Sequence, residues 1–241
     1  MTARIDHRSL VLFDIDGTLM ITGGATSRAI LRAFQAIHGD TVEWGGVTVG
    51  TLDPQIYEQL AKYNGIESPG DAYEAYRERY LKELAAELER AASDITILPG
   101  IASLLKLLHE REHVTLGLLS GNLRKAAMLK ITAAGFDPTW FDVKVFAEDG
   151  VTRDDLPHAA LKQWRNLVGP TVDPCHALIV GDTPRDIQCA RAAGIQVFSV
   201  ATGHYTLDQL REHEPDMLLA DLSDSSSLLS LLDHFEDSGL R

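Results

Sequence analysis

Two acidic residues, Asp14 and Asp16, directly follow an apolar run at residues 10–13. Side chains two residues apart in an extended chain point the same way, so both acids would lie together where this predicted strand ends. Such carboxylates can bind a hard cation such as Mg²⁺, supply a nucleophile and pass protons. The alternative is an ordinary Asp-Gly turn after a buried strand, because Gly17 follows the pair.

Two later segments also place polar groups after apolar runs. Ser120 follows the run at residues 114–119, and Asp182 comes just after the run at residues 177–180. In open α/β sheets, ligands bind beyond the carboxyl ends of the strands. The three segments therefore predict one shared site at one edge of a sheet.

In their order and spacing, these three motifs resemble the haloacid dehalogenase superfamily in its large phosphatase branch. The chain looks similar to phosphoglycolate phosphatases, with a helical cap inserted after the first motif, and the resemblance covers nearly all of the sequence. It implies that Asp14 is a nucleophile that forms an aspartyl-phosphate and that Asp16 is the general acid and base. An acid at position 16 also disfavours a dehalogenase, whose branch of the family lacks one there.

The same resemblance implies a Mg²⁺ site and a phosphate-binding turn. The metal ligands would be the Asp14 carboxylate, the Asp16 backbone carbonyl and Asp182. Asp186 would orient the metal shell, or serve only as a favourable acid in the first turn of a helix. The phosphate would contact a turn in which Asn122 is either a further donor or a cap of the next helix; the turn consists of Ser120, Gly121 and Asn122.

The family has one further motif, between those of Ser120 and Asp182, that usually supplies a lysine. No lysine stands in register there in this chain. Arg153 is the expected replacement as phosphate anchor, since a guanidinium binds phosphate with two donors and keeps its charge. Lys162 on the next predicted helix is the alternative cation. An arginine in an acidic loop is also often only a surface ion pair.

Short apolar runs alternate with helical patterns in the second half of the chain, which predicts βαβ units and a parallel sheet. Residues 21–94 break this alternation and predict helices. We therefore expect an α/β fold: a three-layer α/β/α sandwich with a Rossmann-like parallel sheet and a small all-α cap. The core would comprise residues 1–20 and 95–241, and the cap residues 21–94. The predicted strands are residues 10–13, 114–119, 143–146, 177–180, 196–200 and 217–220.

A loop of the predicted cap resembles one that related phosphatases bring to the active site. Thr51 and Asp53 would be its substrate-facing residues, although Asp53 before Pro54 is equally suited to cap a helix. Gly23 and Gly24 would provide the hinge on which the cap opens.

Composition narrows the partners. The chain of 241 residues has a net charge of −13, which disfavours nucleic acid as a partner. We expect no membrane span and no secretion signal. We also expect two buried free thiols, which suit a reducing cytoplasm. The expected protein is a monomer or a homodimer.

The predicted function is a Mg²⁺-dependent phosphatase acting on a small phosphorylated metabolite, such as 2-phosphoglycolate or a sugar phosphate. A mutase of the β-phosphoglucomutase kind would keep the same motifs. A phosphonate hydrolase would need a cap lysine, but no motif supports Lys62 or Lys82 in that role. A non-catalytic binding module is the remaining alternative, although all four acids of the motifs are present.

Overall fold

A six-stranded parallel sheet in the order β5-β4-β1-β6-β7-β8 forms the centre of the computed structural model, which describes residues 8–170 and 172–238. Each strand predicted from the sequence is present to within one residue at either end. A separate two-stranded sheet pairs β2 with β3. The strands are β1 (Ser9–Phe13), β2 (Met20–Ile21), β3 (Thr96–Ile97), β4 (Val114–Leu119), β5 (Val143–Val145), β6 (Ala177–Gly181), β7 (Gln196–Val200) and β8 (Met217–Leu219).

Helices cover both faces of the large sheet, which confirms the predicted α/β sandwich. Side chains of β1 alternate between two buried clusters: Leu10 and Leu12 belong to one, Val11 and Phe13 to the other. The first cluster includes α6 and α7, and the second includes α4 and α9. The helices are α1 (Ala25–His38), α2 (Asp53–Tyr63), α3 (Tyr73–Arg90), α4 (Ile101–His109), α5 (Arg124–Ala133), α6 (Leu156–Val168), α7 (Pro184–Ala192), α8 (Leu207–Arg211) and α9 (Ser226–Ser238).

Residues 25–92, all of them described, form helices and no strand, as the sequence predicts for the inserted segment. Aromatic rings fill the space between these helices: the centroids of Tyr57 and Phe34 are 5.5 Å apart, and those of Tyr57 and Tyr76 are 4.5 Å apart. Buried Glu87 on α3 accepts a hydrogen bond of 2.8 Å from Arg28 on α1. The exact domain boundaries stay a prediction, and residues 1–7 and 239–241 of the proposed core lie outside the described residues.

The two connections to the inserted helices run side by side. β2 and β3 pair in antiparallel register, with Met20 opposite Ile97. Sequence analysis did not predict this pair, because two-residue strands carry no periodic pattern. The predicted hinge glycines follow β2 with positive φ angles, 56° at Gly23 and 79° at Gly24.

The two cysteines are free, and only one of them fits the prediction. Cys189 is buried, whereas Cys175 is exposed in the turn before β6. The expectation of two buried thiols was therefore wrong for Cys175. No helix among the described residues is long and apolar enough to cross a membrane.

Candidate active site

Strand register brings the three sequence motifs together. Phe13 in β1 is level with Leu118 in β4 and with Val180 in β6, so the residues that follow these strands meet at one edge of the sheet. Asp14 and Asp182 are buried there, with 5% and 1% of their surfaces exposed. The strand ends thus form a polar site beneath the inserted helices.

A glycine without a side chain and two threonine hydroxyls shape the space around Asp182. The hydroxyl of Thr18 donates a hydrogen bond of 3.1 Å to Oδ1 of Asp182. Gly17 has a φ of +86°, and a Cβ atom there would lie 2.5 Å from Oδ2 of Asp182. Thr202 donates to the Gly17 carbonyl at 2.6 Å, which fixes this turn. The first motif therefore needs glycine both for its backbone conformation and for the close approach of Asp182.

Asp14, Asp182 and Asp186 form a buried acidic cluster in which one ligand atom of each lies within 4.8 Å of the others. Burial raises the pKa of Asp14 to about 7, against the opposing charge of Arg153, and neighbouring Asp186 raises it further. Burial, followed by the charges of Asp14 and Asp186, raises the pKa of Asp182 well above its usual range. These pKa shifts reflect first the burial of the carboxyl groups and then the negative charge that they share beside one buried guanidinium.

This cluster fits a divalent cation. Oδ1 of Asp14 is buried and has no hydrogen-bond partner among the described residues. Its nearest cation is Arg153, at 3.2 Å, in an ion pair without hydrogen-bond geometry. A set of carboxylate oxygens with an unsatisfied buried member suits Mg²⁺, a hard cation that prefers oxygen ligands.

Asp186 has two structural tasks. Its Oδ2 accepts hydrogen bonds from the backbone amide and the hydroxyl of Thr183, at 3.0 and 2.7 Å, and so caps α7. Its Oδ1 pairs with Arg153. The position of Asp186 is therefore compatible with both interpretations: it caps α7, and it lies where it could orient a bound metal.

Arg153 lies inside the site. Its guanidinium pairs with Asp14 and Asp186, and it donates a hydrogen bond of 3.0 Å to the Gly50 carbonyl. Lys162 and Lys125 are both exposed. Arg153 is thus positioned for the anchoring role, which stays a prediction.

A second buried cation, Lys130 on α5, was missed by the sequence analysis. Its ammonium group is fully buried and lies 2.6 Å from Oδ2 of Asp16 and 2.6 Å from Oδ1 of Asn122. The sequence analysis weighed Arg153 and Lys162, which both follow Phe146, whereas Lys130 precedes that residue in the chain. A usable signal was present, because Lys130 falls on the apolar face of α5 beside Ala126, Ala127 and Ile131.

The turn predicted to bind phosphate is buried at Ser120, whose hydroxyl oxygen accepts a hydrogen bond of 3.4 Å from the backbone amide of Asn122. Asn122 does not cap α5, because its side chain accepts from Lys130 instead. A Cβ atom on Gly121 would lie 2.4 Å from the Thr51 carbonyl. Gly121 thus allows the loop of residues 50–53 to approach the turn closely.

Asp53 joins α2 to this turn. Its backbone amide donates to the Gly121 carbonyl at 2.7 Å, and its Oδ2 accepts from the Leu123 amide at 2.7 Å. The helix-cap interpretation was wrong in this respect, since the carboxylate satisfies the start of α5 and not that of α2. Burial raises the pKa of Asp53 to about 6, despite the nearby charge of Lys130. The Thr51 hydroxyl donates to the Thr48 carbonyl of its own loop.

A cavity of about 370 Å³ opens over the cluster, between the sheet edge and the inserted helices. Most of the residues predicted for the site line it, while Asp182 and Asp186 lie outside the lining and join the site through their cluster with Asp14. The predicted residues in the lining are Asp14, Asp16, Thr51, Asp53, Ser120, Gly121, Asn122 and Arg153.

Comparison with known proteins agrees with this geometry. Pyrophosphatase PpaX of Bacillus pumilus is 26% identical over 228 residues, covering 89% of this chain and 93% of the relative. A predicted phosphoglycolate phosphatase from Haemophilus somnus superposes with a TM-score of 0.74 at 17% identity, over 92% of this chain and 98% of the other. A β-phosphoglucomutase from Clostridium difficile gives 0.73 at 15% identity, over 95% and 98%. At such low identities, the two structures show a shared fold only.

The family model for haloacid dehalogenase-like hydrolases matches residues 9–194, which contain all three motifs and the buried acidic cluster. The chain belongs to the haloacid dehalogenase-like hydrolases.

Proposed function

We propose that the protein is a Mg²⁺-dependent phosphatase that hydrolyses a small phosphorylated metabolite through an aspartyl-phosphate on Asp14. The observation that carries this proposal is the buried Oδ1 of Asp14, which lies beside Arg153 at the cavity but accepts no hydrogen bond among the described residues. A buried carboxylate oxygen without a hydrogen bond is costly unless a ligand satisfies it. In this site the ligand would be the metal or the reacting phosphoryl group.

The chain's own residues divide the reaction into two steps. In the first, a carboxylate oxygen of Asp14 attacks phosphorus and the bond to the leaving oxygen breaks, while Asp16 donates a proton to that oxygen. In the second, Asp16 removes a proton from water, which attacks phosphorus and frees phosphate and the Asp14 carboxylate. Lys130 holds Oδ2 of Asp16 in place, so this half-buried side chain stays directed at the cavity.

Asp14, Asp182 and the Asp16 carbonyl would hold Mg²⁺, with Asp186 beside them. When bound, the ion offsets the negative charge of the cluster and of the phosphoryl oxygens. Ser120 and Arg153 would hold those oxygens beside Asp14.

The named relatives leave the acceptor of the phosphoryl group open. One is called a pyrophosphatase, and similar structures carry the names of a phosphoglycolate phosphatase and a β-phosphoglucomutase. We favour water as the acceptor because the match is to hydrolases, and a mutase remains the second candidate. Release of phosphate without a bisphosphate activator separates these two reactions.

A phosphate-release assay over a panel of phosphorylated metabolites tests the proposal, with Mg²⁺ and with EDTA. We expect turnover that EDTA abolishes and added Mg²⁺ restores. The variant Asp14→Asn should be inactive, whereas Asp208→Asn, on exposed α8 outside the cavity, should retain wild-type turnover. Equal activity in EDTA, or an active Asp14→Asn enzyme, would contradict the proposal.

A further inference from the structure

One wall of the active-site cavity carries most of its apolar side chains, and the hydroxyl groups of Thr22, Thr26, Ser27, Thr48 and Thr51 also line the cavity. This wall is built from β2, α1, the segment that follows α1, and the first turn of α2. Two of its side chains, Trp44 and Val49, are 41% and 38% exposed even though they are large and apolar. The apolar wall comprises Met20, Ile30, Trp44, Val47, Val49 and Ile56.

Positive charge is scarce in the same cavity. Among the described lining residues, Arg153 is the only lysine or arginine. It already pairs with Asp14 and Asp186 and donates to the Gly50 carbonyl. Lys130 is engaged by Asp16 and Asn122 and does not line the cavity. The lining also contains one imidazole, that of His204. The arginine and the lysine of the site are therefore committed to the acidic cluster and to one phosphoryl group.

A second anionic group on a substrate would meet an unfavourable environment. Once the phosphoryl group lies against Asp14 and Ser120, the rest of the substrate must extend along the apolar wall. There it would lose its hydration without gaining a cation, and Asp53 adds a further negative side chain to the lining. An uncharged apolar group would instead bury surface against Trp44 and its neighbours.

We propose that the leaving group of the substrate is an uncharged, largely apolar alcohol, and that the wall around Trp44 and Val49 selects it. This inference rests on the proposed phosphatase activity and narrows its substrate class. It predicts that pyrophosphate and 2-phosphoglycolate, whose leaving groups carry charge, are poor substrates of this enzyme.

A pair of substrates of matched shape provides the test. Isobutyl phosphate and 2-phosphoglycolate have the same number of non-hydrogen atoms, and a branched methyl pair in one replaces the carboxylate of the other. We expect kcat/KM for isobutyl phosphate to be at least about tenfold higher in saturating Mg²⁺. In a series of n-alkyl phosphates, kcat/KM should rise about fourfold for each methylene buried against the wall. A higher kcat/KM for 2-phosphoglycolate or pyrophosphate overturns the proposal.

A charge introduced into the wall should reverse the preference. Val49→Lys places a cation beside the leaving group, and we expect it to lower kcat/KM for isobutyl phosphate and to raise it for 2-phosphoglycolate. Val151→Lys is the matched control, because Val151 is 84% exposed and lies outside the cavity lining. An unchanged preference in Val49→Lys, or an equal change in both variants, contradicts the assignment of the wall.

Failure of the phosphatase proposal can be distinguished from failure of this inference. If no phosphate ester is hydrolysed, the proposed function is wrong, and calorimetric titration with the same two esters then decides the preference of the wall. Tighter binding of isobutyl phosphate supports the apolar subsite. Tighter binding of 2-phosphoglycolate, or binding of neither ester, overturns it.

Discussion

Replacement of Asp53 by asparagine should remove a loss of folding stability that develops as pH rises. Asp53 lies at the junction between α2 and the turn predicted to bind phosphate. The carboxylate is 5% exposed, and burial raises its pKa from the ordinary 3.8 to about 6. The folded protein therefore keeps a proton on Asp53 at pH values where the unfolded chain has lost it. By linkage, this group favours folding at low pH, and its contribution is lost as pH rises from about 4 to 6.

The expected size follows from these two pKa values. Their difference corresponds to about 3 kcal/mol at neutral pH, of which roughly 2 kcal/mol develops between about pH 4.5 and 7.5. Asparagine keeps an oxygen that can accept from the Leu123 amide but has no proton to lose. The Tm of Asp53→Asn minus that of the wild type should therefore increase by about 4–8 °C over this interval, given about 2–4 °C per kcal/mol for a chain of this size.

Thermal unfolding of both proteins at several pH values measures this difference. Asp137→Asn is a suitable control, because hydrogen bonds from the amide and hydroxyl of Thr139 lower the pKa of Asp137. Its titration lies below pH 3.8 in the folded state, so its Tm difference should not rise over the same interval. A flat Tm difference for Asp53→Asn would refute our reasoning and would mean that water reaches this carboxylate.

Three further outcomes are expected for the site itself. Asp14→Asn should abolish phosphate release yet fold with wild-type circular dichroism, because the nearly isosteric amide cannot attack phosphorus; near-normal turnover would exclude Asp14 as the nucleophile. Lys130→Met should lower kcat by about 10²-fold by freeing Asp16, with a small effect on KM, and wild-type kcat would show that this ion pair is dispensable. Gly17→Ala should lose activity and about 2 kcal/mol or more of stability, because the new Cβ atom would meet Asp182. Gly135→Ala is the control: Gly135 has a similar φ of +79° with open space around it, so this variant should lose only about 1 kcal/mol and stay active.

The fold was largely predictable from the sequence because its strands are short, continuous apolar runs. In a parallel sheet covered on both faces, such runs are required of every central strand, and β1 and β4 illustrate this requirement. Their carboxyl ends must lie at one edge, so the meeting of Asp14, Ser120 and Asp182 followed from chain direction. The pairing of β2 with β3 could not be predicted, since it depends on where the inserted helices return the chain.

The site was most predictable where a residue comes directly after a strand or, as with Arg153, in the loop that follows one. Lys130 reaches Asp16 from the second turn of α5, and a lysine in a helix ordinarily suggests an exposed side chain. Asp53 was recognised as a candidate, but its partner Leu123 lies 70 positions away in the sequence. The contact of Asp53 depends on how the inserted helices lie over the sheet edge, which no local pattern encodes.

The pairing of β2 with β3 has a consequence for how this protein can change over time. The chain leaves the sheet edge and returns to it in adjacent antiparallel strands, so the two ends of the insertion are as close as the arms of a hairpin. A two-residue turn, the shortest common hairpin connection, could span the gap that residues 22–95 now bridge. Segments of very different length can therefore be exchanged at this point without rerouting the strands that carry the acids. The proposed catalytic acids and the apolar wall are thereby encoded in separate stretches of sequence, which remain linked through the contacts of Gly50 with Arg153 and of Asp53 with Leu123.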